Sequence, residues 1–234
     1  MYIKQFFEPK SSTYSYFLMC EESKEAIIID PVQCDIEKYL EEIKQQQANL
    51  QYIFETHIHA DHITASHTLK TLTSAKSVVH KNSGVECADV FITDGCDFRF
   101  GQQLLQVLAT PGHTNACTSY YAKGYVFTGD TLLINGCGRT DFQGGSAEKL
   151  YQSVHRKLFT LPSETIVYPA HDYKGNFSSS IGHEKEYNPR LALHISQEEF
   201  IHIMANLDLA YPAQIDQALP ANKLCGRVQT SDCD

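Results

Sequence analysis

The residues best suited to chemistry form a short run of metal-ligand types, His57-x-His59-x-Asp61-His62. The run follows an apolar segment, residues 52–54, that we interpret as a buried strand. In an extended segment, residues i and i+2 point to the same side, so His57 and His59 can reach one ion. A turn would then bring Asp61 and His62 to the same place. Imidazole and carboxylate suit zinc, iron and manganese, and the run therefore predicts a metal site.

Three further candidates follow other predicted strands. His113 comes after a Pro-Gly turn, Asp130 after Phe-Thr-Gly, and His171 after Tyr-Pro-Ala. Each of them alone is compatible with an ordinary packing or surface residue. Together with the first run they supply five histidines and two aspartates, enough for one or two metals.

The elements that must position these residues alternate between strand and helix patterns, which predicts an α/β fold. Polar motifs lie at strand ends, where open α/β sheets place their ligand sites. The polar residues 172–195 are predicted to form an extended loop or arm. The predicted strands are residues 14–20, 26–30, 52–54, 104–108, 118–122, 125–127 and 165–168, and the predicted helices are 35–47, 62–72, 146–159 and one that begins at Ser196.

Composition excludes several classes of protein. The chain has 234 residues, 42% of them hydrophobic, and a net charge of -9 without any block of like charge. We predict one domain, residues 1–234, with an arm, late helix and tail (172–234) packed on it. The absence of a basic stripe argues against a nucleic-acid partner, and the absence of a long apolar run argues against a membrane span. Residues 1–18 resemble neither a signal peptide nor a transit peptide, so we expect a cytoplasmic protein.

The eight cysteines are scattered and form no CxxC pair. In a chain expected to be intracellular, that pattern favours unpaired, small buried side chains over a disulfide framework. Cys225 is a separate case, considered with the substrate site.

The complete set of metal-ligand residues resembles that of the metallo-β-lactamase superfamily, over about residues 1–190. The resemblance implies an αββα sandwich: two mixed β-sheets packed face to face, with helices on both outer faces. The metal site would then lie at one edge of the sandwich.

Local sequence further resembles the persulfide dioxygenases of that superfamily. The matching segments are Gly-Cys-Gly-Arg-Thr-Asp-Phe-Gln at 136–143, Asp-Tyr at 172–173, Asn-Pro-Arg-Leu at 188–191 and Leu-Pro-Ala-Asn at 219–222. The resemblance implies an oxidoreductase of sulfur metabolism, with one Fe(II) per chain. Such an enzyme oxidises glutathione persulfide with O2 and water to sulfite and glutathione.

The resemblance implies that His57, His113 and Asp130 bind the iron. Two histidines and one carboxylate on one face leave three positions open, as in other non-haem Fe(II) oxygenases. His171 and Tyr173 are the implied catalytic side chains. The remaining metal-motif residues would orient ligands and move protons; with His171 they are His59, Asp61 and His62.

The resemblance also implies a glutathione site. Arg139 and Arg190 would bind the two carboxylates of glutathione, since guanidinium matches carboxylate in a bidentate fork. The alternative for either arginine is a surface salt bridge. Tyr173 would donate a hydrogen bond to the substrate, and Cys225 would lie near it or serve only in packing.

A glyoxalase II-type hydrolase is the alternative enzyme. It would use two bridged metals to cleave S-lactoylglutathione, and the sequence contains every residue that such a site needs. The Asp172-Tyr173 pair, residues 139–142 and the tail segment at 219–226 favour the dioxygenase. The resemblance further implies a homodimer and a possible sulfurtransferase partner.

Overall fold

The computed structural model describes residues 1–227, and its strands form two six-stranded sheets. In the first sheet, β1 pairs antiparallel with β2, and β2 pairs antiparallel with β3. The strands β3, β4, β5 and β6 are parallel to one another. The sheet is therefore mixed. Its strands, in spatial and chain order, are β1 (Tyr2–Glu8), β2 (Thr13–Met19), β3 (Glu25–Ile29), β4 (Asn49–Phe54), β5 (Lys76–His80) and β6 (Val90–Ile92).

The second sheet is also mixed. Its strands lie in the order β12-β11-β10-β9-β8-β7, and the parallel pair in it is β10 with β11. The strands are β7 (Asp97–Phe100), β8 (Gln103–Ala109), β9 (Thr118–Ala122), β10 (Tyr125–Gly129), β11 (Ile166–Pro169) and β12 (Ser179–Ser180).

Successive apolar side chains of one strand pack into two different hydrophobic cores, one on each face of the sheet. Ile27 and Ile29 face the core between the sheets, whereas Ile28 faces a second core beneath helices. Successive side chains of a strand point to opposite faces, so a strand covered on both sides is apolar throughout. The predicted αββα sandwich with two mixed sheets is confirmed.

Six α-helices accompany the sheets in residues 1–227. The outer face of the first sheet packs against α1 and α2, and that of the second against α3, α4 and α5. The helices are α1 (Ile36–Gln46), α2 (Ser66–Thr73), α3 (Ala147–Arg156), α4 (Ile181–Tyr187), α5 (Gln197–Ala205) and α6 (Ile215–Lys223).

The structure changes two of the predicted elements and confirms a third. The helix expected at 62–72 begins only at Ser66, because the preceding residues form an irregular loop at the candidate site. The arm predicted at 172–195 contains α4, capped by the Ser180 side chain. The helix predicted from Ser196 is confirmed, and the Ser196 hydroxyl accepts the amide of Glu199.

In the part of the chain that the structure describes, no helix is long and apolar enough to cross a membrane. Residues 228–234, the last of the predicted tail, lie outside the described residues. The division into one domain stays a prediction.

Candidate active site

Four strands end at one edge of the sandwich and carry the predicted ligand residues beyond their ends. His57 follows β4, His113 follows β8, Asp130 follows β10 and His171 follows β11. The first of these strands belongs to one sheet and the other three belong to the second. The site is therefore built across both sheets.

His57, His113 and Asp130, the predicted iron ligands, lie together. One candidate donor atom from each lies within 4.8 Å of the other two. His113 Nε2 is 3.5 Å from Asp130 Oδ2. The structure thus brings two imidazoles and one carboxylate to a common point.

Hydrogen bonds fix which ring nitrogen each histidine offers. The Thr56 hydroxyl donates to Asp30 at 2.7 Å, so it accepts from His57 Nδ1, 3.0 Å away. His113 Nδ1 donates to the main-chain carbonyl of Arg139 at 2.6 Å. Both rings therefore keep the Nε2 lone pair for a metal.

The charge states suit a cation. Burial lowers the pKa of His57 well below its ordinary value, helped by the neighbouring His59 and His113, and so favours the neutral, ligating form. Burial opposes ionisation of Asp130, but the nearby His171, His113 and His57 outweigh it and lower its pKa. The cluster therefore presents the neutral His57 imidazole beside the Asp130 carboxylate anion.

A second group of donors adjoins the first. His59, Asp61 and His62 also bring one candidate donor atom each within 4.8 Å. His171 Nε2 lies 3.6 Å from Asp61 and 3.6 Å from Asp130, and so connects the two groups. All seven predicted metal-motif residues thus meet in one site.

Two buried carboxylates at this site were not predicted. His59 Nε2 lies 3.1 Å from Asp30 and 3.6 Å from Glu55, and the three form a further potential donor group. Burial raises the pKa of both carboxyl groups, since it penalises the charged form. Glu55 directly precedes Thr56 and the metal motif, and this position was its sole signal in the sequence.

The donor set fits a metal ion. Five buried polar atoms here make no hydrogen bond of acceptable geometry, although His59 Nε2 lies close to Asp30: Glu55 Oε2, His59 Nδ1, His59 Nε2, His62 Nε2 and Asp130 Oδ1. Buried polar groups are almost always partnered, and a metal ion would account for such a concentration of unpaired donors. A Cβ on Gly138 would approach Asp130 Cβ and His113 Nδ1 to 2.8 Å, so glycine is needed where this loop passes the cluster.

The cluster opens into a cavity of about 630 Å³. Its wall includes the predicted substrate residues Arg139, Tyr173 and Arg190. It also includes Lys10 and Lys174, which sequence reasoning missed because single exposed lysines carry no pattern. The volume is in the range of sites for small organic ligands, about 300–1,000 Å³.

The two predicted substrate arginines differ in their surroundings. Arg139 already holds Asp141 in a bidentate pair, with two N–O distances of 2.7 Å, and donates to Ala210 O at 2.7 Å. Its planar fork is therefore occupied, and the side chain supports the cavity wall at Ala210. The Arg190 side chain lines the cavity and makes one long hydrogen bond, 3.4 Å, to Cys137 O, which leaves most of its donors unused.

A comparison with known families decides the class of this site. A family model described as the metallo-β-lactamase superfamily matches residues 10–171, which contain all seven donors. The chain belongs to the metallo-β-lactamase superfamily. Metal binding through clustered His and Asp side chains is the property that this membership gives the site.

Relatives within the superfamily narrow the resemblance. The chain is 49% identical over 231 residues to human "Persulfide dioxygenase ETHE1, mitochondrial", with 97% of this chain and 89% of the relative covered. ETHE1 from Myxococcus xanthus, a crystal structure, has a TM-score of 0.95 at 50% identity, with 97% and 100% covered. "Glyoxylase B2" from Dictyostelium discoideum is 32% identical over 250 residues, with 90% and 85% covered. The predicted resemblance to persulfide dioxygenases is confirmed.

The expectation of unpaired cysteines, from which Cys225 was set apart, is wrong for Cys87. Cys225 forms a disulfide with Cys87, with the two Cα atoms 6.1 Å apart. The fold brings them together from positions 138 residues apart in sequence, where no spacing rule connects them. Cys225 lines a small internal space behind His57 and His59 rather than the large cavity, so the structure gives it no contact with that cavity.

Tyr173 lies at the mouth of the cavity. Its side chain is 74% exposed, and its ring lies parallel to that of His171, with the centroids 6.1 Å apart. The hydroxyl is therefore free to meet a ligand that enters from solvent.

Proposed function

We propose that this chain is a persulfide dioxygenase that converts glutathione persulfide, O2 and water into sulfite and glutathione. The observation that supports this best is the cluster of His57, His113 and Asp130 at the floor of a large cavity, in a chain so similar to ETHE1. Two histidines and one carboxylate are the donor set that non-haem Fe(II) oxygenases use.

One Fe(II) per chain is the metal we propose for the site. Bound by His57, His113 and Asp130, it would supply the redox chemistry by which electrons lost by sulfur reduce O2, which zinc cannot do. The protein holds both imidazoles in one orientation through the Thr56 hydroxyl and the Arg139 carbonyl. Preorganisation of this kind avoids rearrangement when the metal binds.

His171 is proposed to hold and move a proton. Its Nδ1 donates to the main-chain carbonyl of Ser12 at 3.1 Å, while Nε2 lies between Asp61 and Asp130. A ring anchored on one side and open to two carboxylates on the other can pass a proton without leaving its place. Tyr173 stacks beside it and is proposed to orient the substrate.

The cationic wall of the cavity is proposed to bind the two glutathione carboxylates. Arg190, Lys10 and Lys174 supply positive charge at the cavity, and Arg190 has donors free for a bidentate pair. Arg139 contributes by holding the opposite wall at Ala210. The carboxylate role for Arg139 itself would require it to release or share Asp141.

A glyoxalase II-type dinuclear hydrolase is the second candidate. The group formed by His59, Asp61 and His62 favours it, because a second metal would have donors there. The identity to the glyoxylase relative is lower, 32% against 49%, so the dioxygenase is favoured.

The deciding experiment measures the metal content and the catalysed reaction of the same protein sample. Protein loaded anaerobically with Fe(II) should retain one iron per chain, consume O2 with glutathione persulfide and release one sulfite per O2. Zinc-loaded protein is the control and should consume none. Hydrolysis of S-lactoylglutathione by protein with two metals, without persulfide-dependent O2 uptake, would establish the hydrolase instead.

A sulfurtransferase partner, a homodimer and a cytoplasmic location are proposals of the same kind. The first two rest on the family resemblance, and the third is the expectation stated from the sequence. Co-purification, sedimentation and cell fractionation, respectively, test them.

A further inference from the structure

Helix α6 contacts the loop that carries four of the seven metal-motif residues. We call residues 55–65, which join β4 to α2, the metal loop. Asn222, near the end of α6, donates from Nδ2 to the carbonyls of His59 and His62, both at 2.8 Å. Its Oδ1 accepts the amide of Thr64 at 2.9 Å. One side chain thus binds the metal loop at three points.

These three bonds serve groups that would otherwise be unpaired. In residues 1–227, the structure shows no main-chain partner for the carbonyls of His59 and His62 or for the amide of Thr64. Asn222 is 3% exposed, so water does not replace it. A primary amide is the side chain that offers two donors and an acceptor, and here all three kinds of contact are used.

The end of α6 is fixed by further contacts close to Asn222. The Cys225 carbonyl accepts the amide of His67 at 3.0 Å, and the Cys87–Cys225 disulfide ties the same residue to the loop before β6. At Gly226, with φ +88°, a Cβ would approach the Thr64 carbonyl oxygen to 2.1 Å. Residues 222–226 therefore pack directly on the metal loop, which holds Asn222 in place against it.

We propose that Asn222 is a positioning residue for the metal centre and that the Cys87–Cys225 disulfide holds it in place. By binding the carbonyls of His59 and His62, it sets the path of the metal loop and with it the direction of the donor side chains. Asn222 lies outside the substrate cavity and touches none of the reacting atoms. The inference rests on the metal centre of the proposed function but does not depend on the substrate.

The test measures iron affinity in Asn222→Ala, Asn222→Asp and a control, Gln217→Ala, an exposed change on the same helix. Chelator competition should show a loss of Fe(II) affinity of about 10-fold in Asn222→Ala, the lower end of the range for outer-shell partners, because Asn222 acts on the loop that carries His57 and not on an iron ligand itself. Gln217→Ala should match the wild type. In iron-saturated enzyme we expect a lower kcat with the KM for persulfide unchanged, because the cavity wall is intact.

Asn222→Asp separates positioning from simple destabilisation. It keeps the acceptor for the Thr64 amide but loses both donors to the carbonyls of His59 and His62. Hydrogen exchange should therefore remain slow at Thr64 in this variant and become fast in Asn222→Ala, while both lose iron affinity. The electron paramagnetic resonance spectrum of the ferrous nitrosyl adduct should change in both.

Cys87→Ser tests the role of the Cys87–Cys225 disulfide by itself. It also provides the test if the Asn222 variants do not fold. It should release iron faster than the wild type, and treatment with dithiothreitol should give the wild type the same rate. Unchanged iron affinity and nitrosyl spectrum in both Asn222 variants, or in Cys87→Ser if they do not fold, would overturn the proposal. Wild-type protein that binds one iron tightly but does not oxidise persulfide would instead refute the proposed function and leave this inference standing.

Discussion

At the scale of single residues, the predicted iron ligands can be separated from the other histidines. Replacing His57, His113 or Asp130 by Ala should abolish iron retention and turnover, because each supplies a donor atom to the same cluster. His59→Ala should leave measurable iron, since His59 lies outside that cluster of three. His194→Ala, at an exposed position, is the matched control. Elemental analysis checks this, and two tightly held metals that both require His59 would contradict it.

Substrate binding should depend on Arg190. A charge-assisted bond to carboxylate is typically worth about 1.5–3 kcal/mol, so Arg190→Ala should raise KM for glutathione persulfide roughly ten-fold to a hundred-fold. Contacts made equally in ground and transition states leave kcat unchanged. Arg156→Ala, an exposed arginine on α3, is the control in steady-state kinetics at matched iron content. An unchanged KM in Arg190→Ala would place the glutathione site elsewhere.

The metal-donor residues could be predicted from the sequence, but the contacts that hold the side chains of the site in place could not. A histidine or aspartate directly after an apolar strand pattern can be recognised in the sequence, and this is the position of His57, His113, Asp130 and His171. Asp141, which occupies the Arg139 fork, is only two residues away, but the bond from Arg139 to Ala210 O joins positions 71 residues apart. Sequence spacing contains no information on such long-range pairs.

At the scale of elements, the approach of β10 to the end of β4 depends on one glycine. A Cβ on Gly129 would lie 2.5 Å from Thr56 Oγ1, and Thr56 orients His57. Gly129→Ala should therefore lower the free energy of unfolding by about 1–3 kcal/mol through overpacking, and weaken iron binding as well. Gly124→Ala is the control, because it also has a positive φ but no atom within 4 Å of the new Cβ. Urea unfolding compares them, and equal losses would show that backbone conformation alone is responsible.

Three of the elements missed from the sequence, β1, α4 and α6, have weak local signals. The strands predicted correctly, such as β3 and β10, are buried on both faces and consist of continuous apolar runs. β1 alternates weakly and lies at the edge of its sheet, α4 is short and largely polar, and α6 is short and contains Pro220. Their stability comes from docking on the rest of the fold, which local periodicity does not report.

At the scale of the whole molecule, the two sheets, the metal loop and the tail form one connected system. The site receives donors from both sheets, and α6 returns from the C-terminal part of the chain to bind the metal loop. The overall architecture could be predicted because strand-end motifs and their order resemble those of a superfamily. The closure of the tail could not, since it depends on a cysteine pair and an asparagine whose contacts arise only in the folded chain.

The disulfide should make the stability of the whole molecule sensitive to reduction. It joins residues 138 positions apart, and a cross-link over a long segment removes conformational entropy from the unfolded chain. A contribution of about 2–4 kcal/mol is typical, and for a chain of this size each kcal/mol shifts Tm by about 2–4 °C. Dithiothreitol should therefore lower the Tm of metal-free protein by about 4–16 °C, as followed by calorimetry.

Cys87→Ser should show the lower Tm without reductant and no further response to it, whereas Cys34→Ser, which changes an exposed free cysteine, should respond like the wild type. A wild-type Tm that does not change on complete reduction would show that the tail is held by its packing and hydrogen bonds alone.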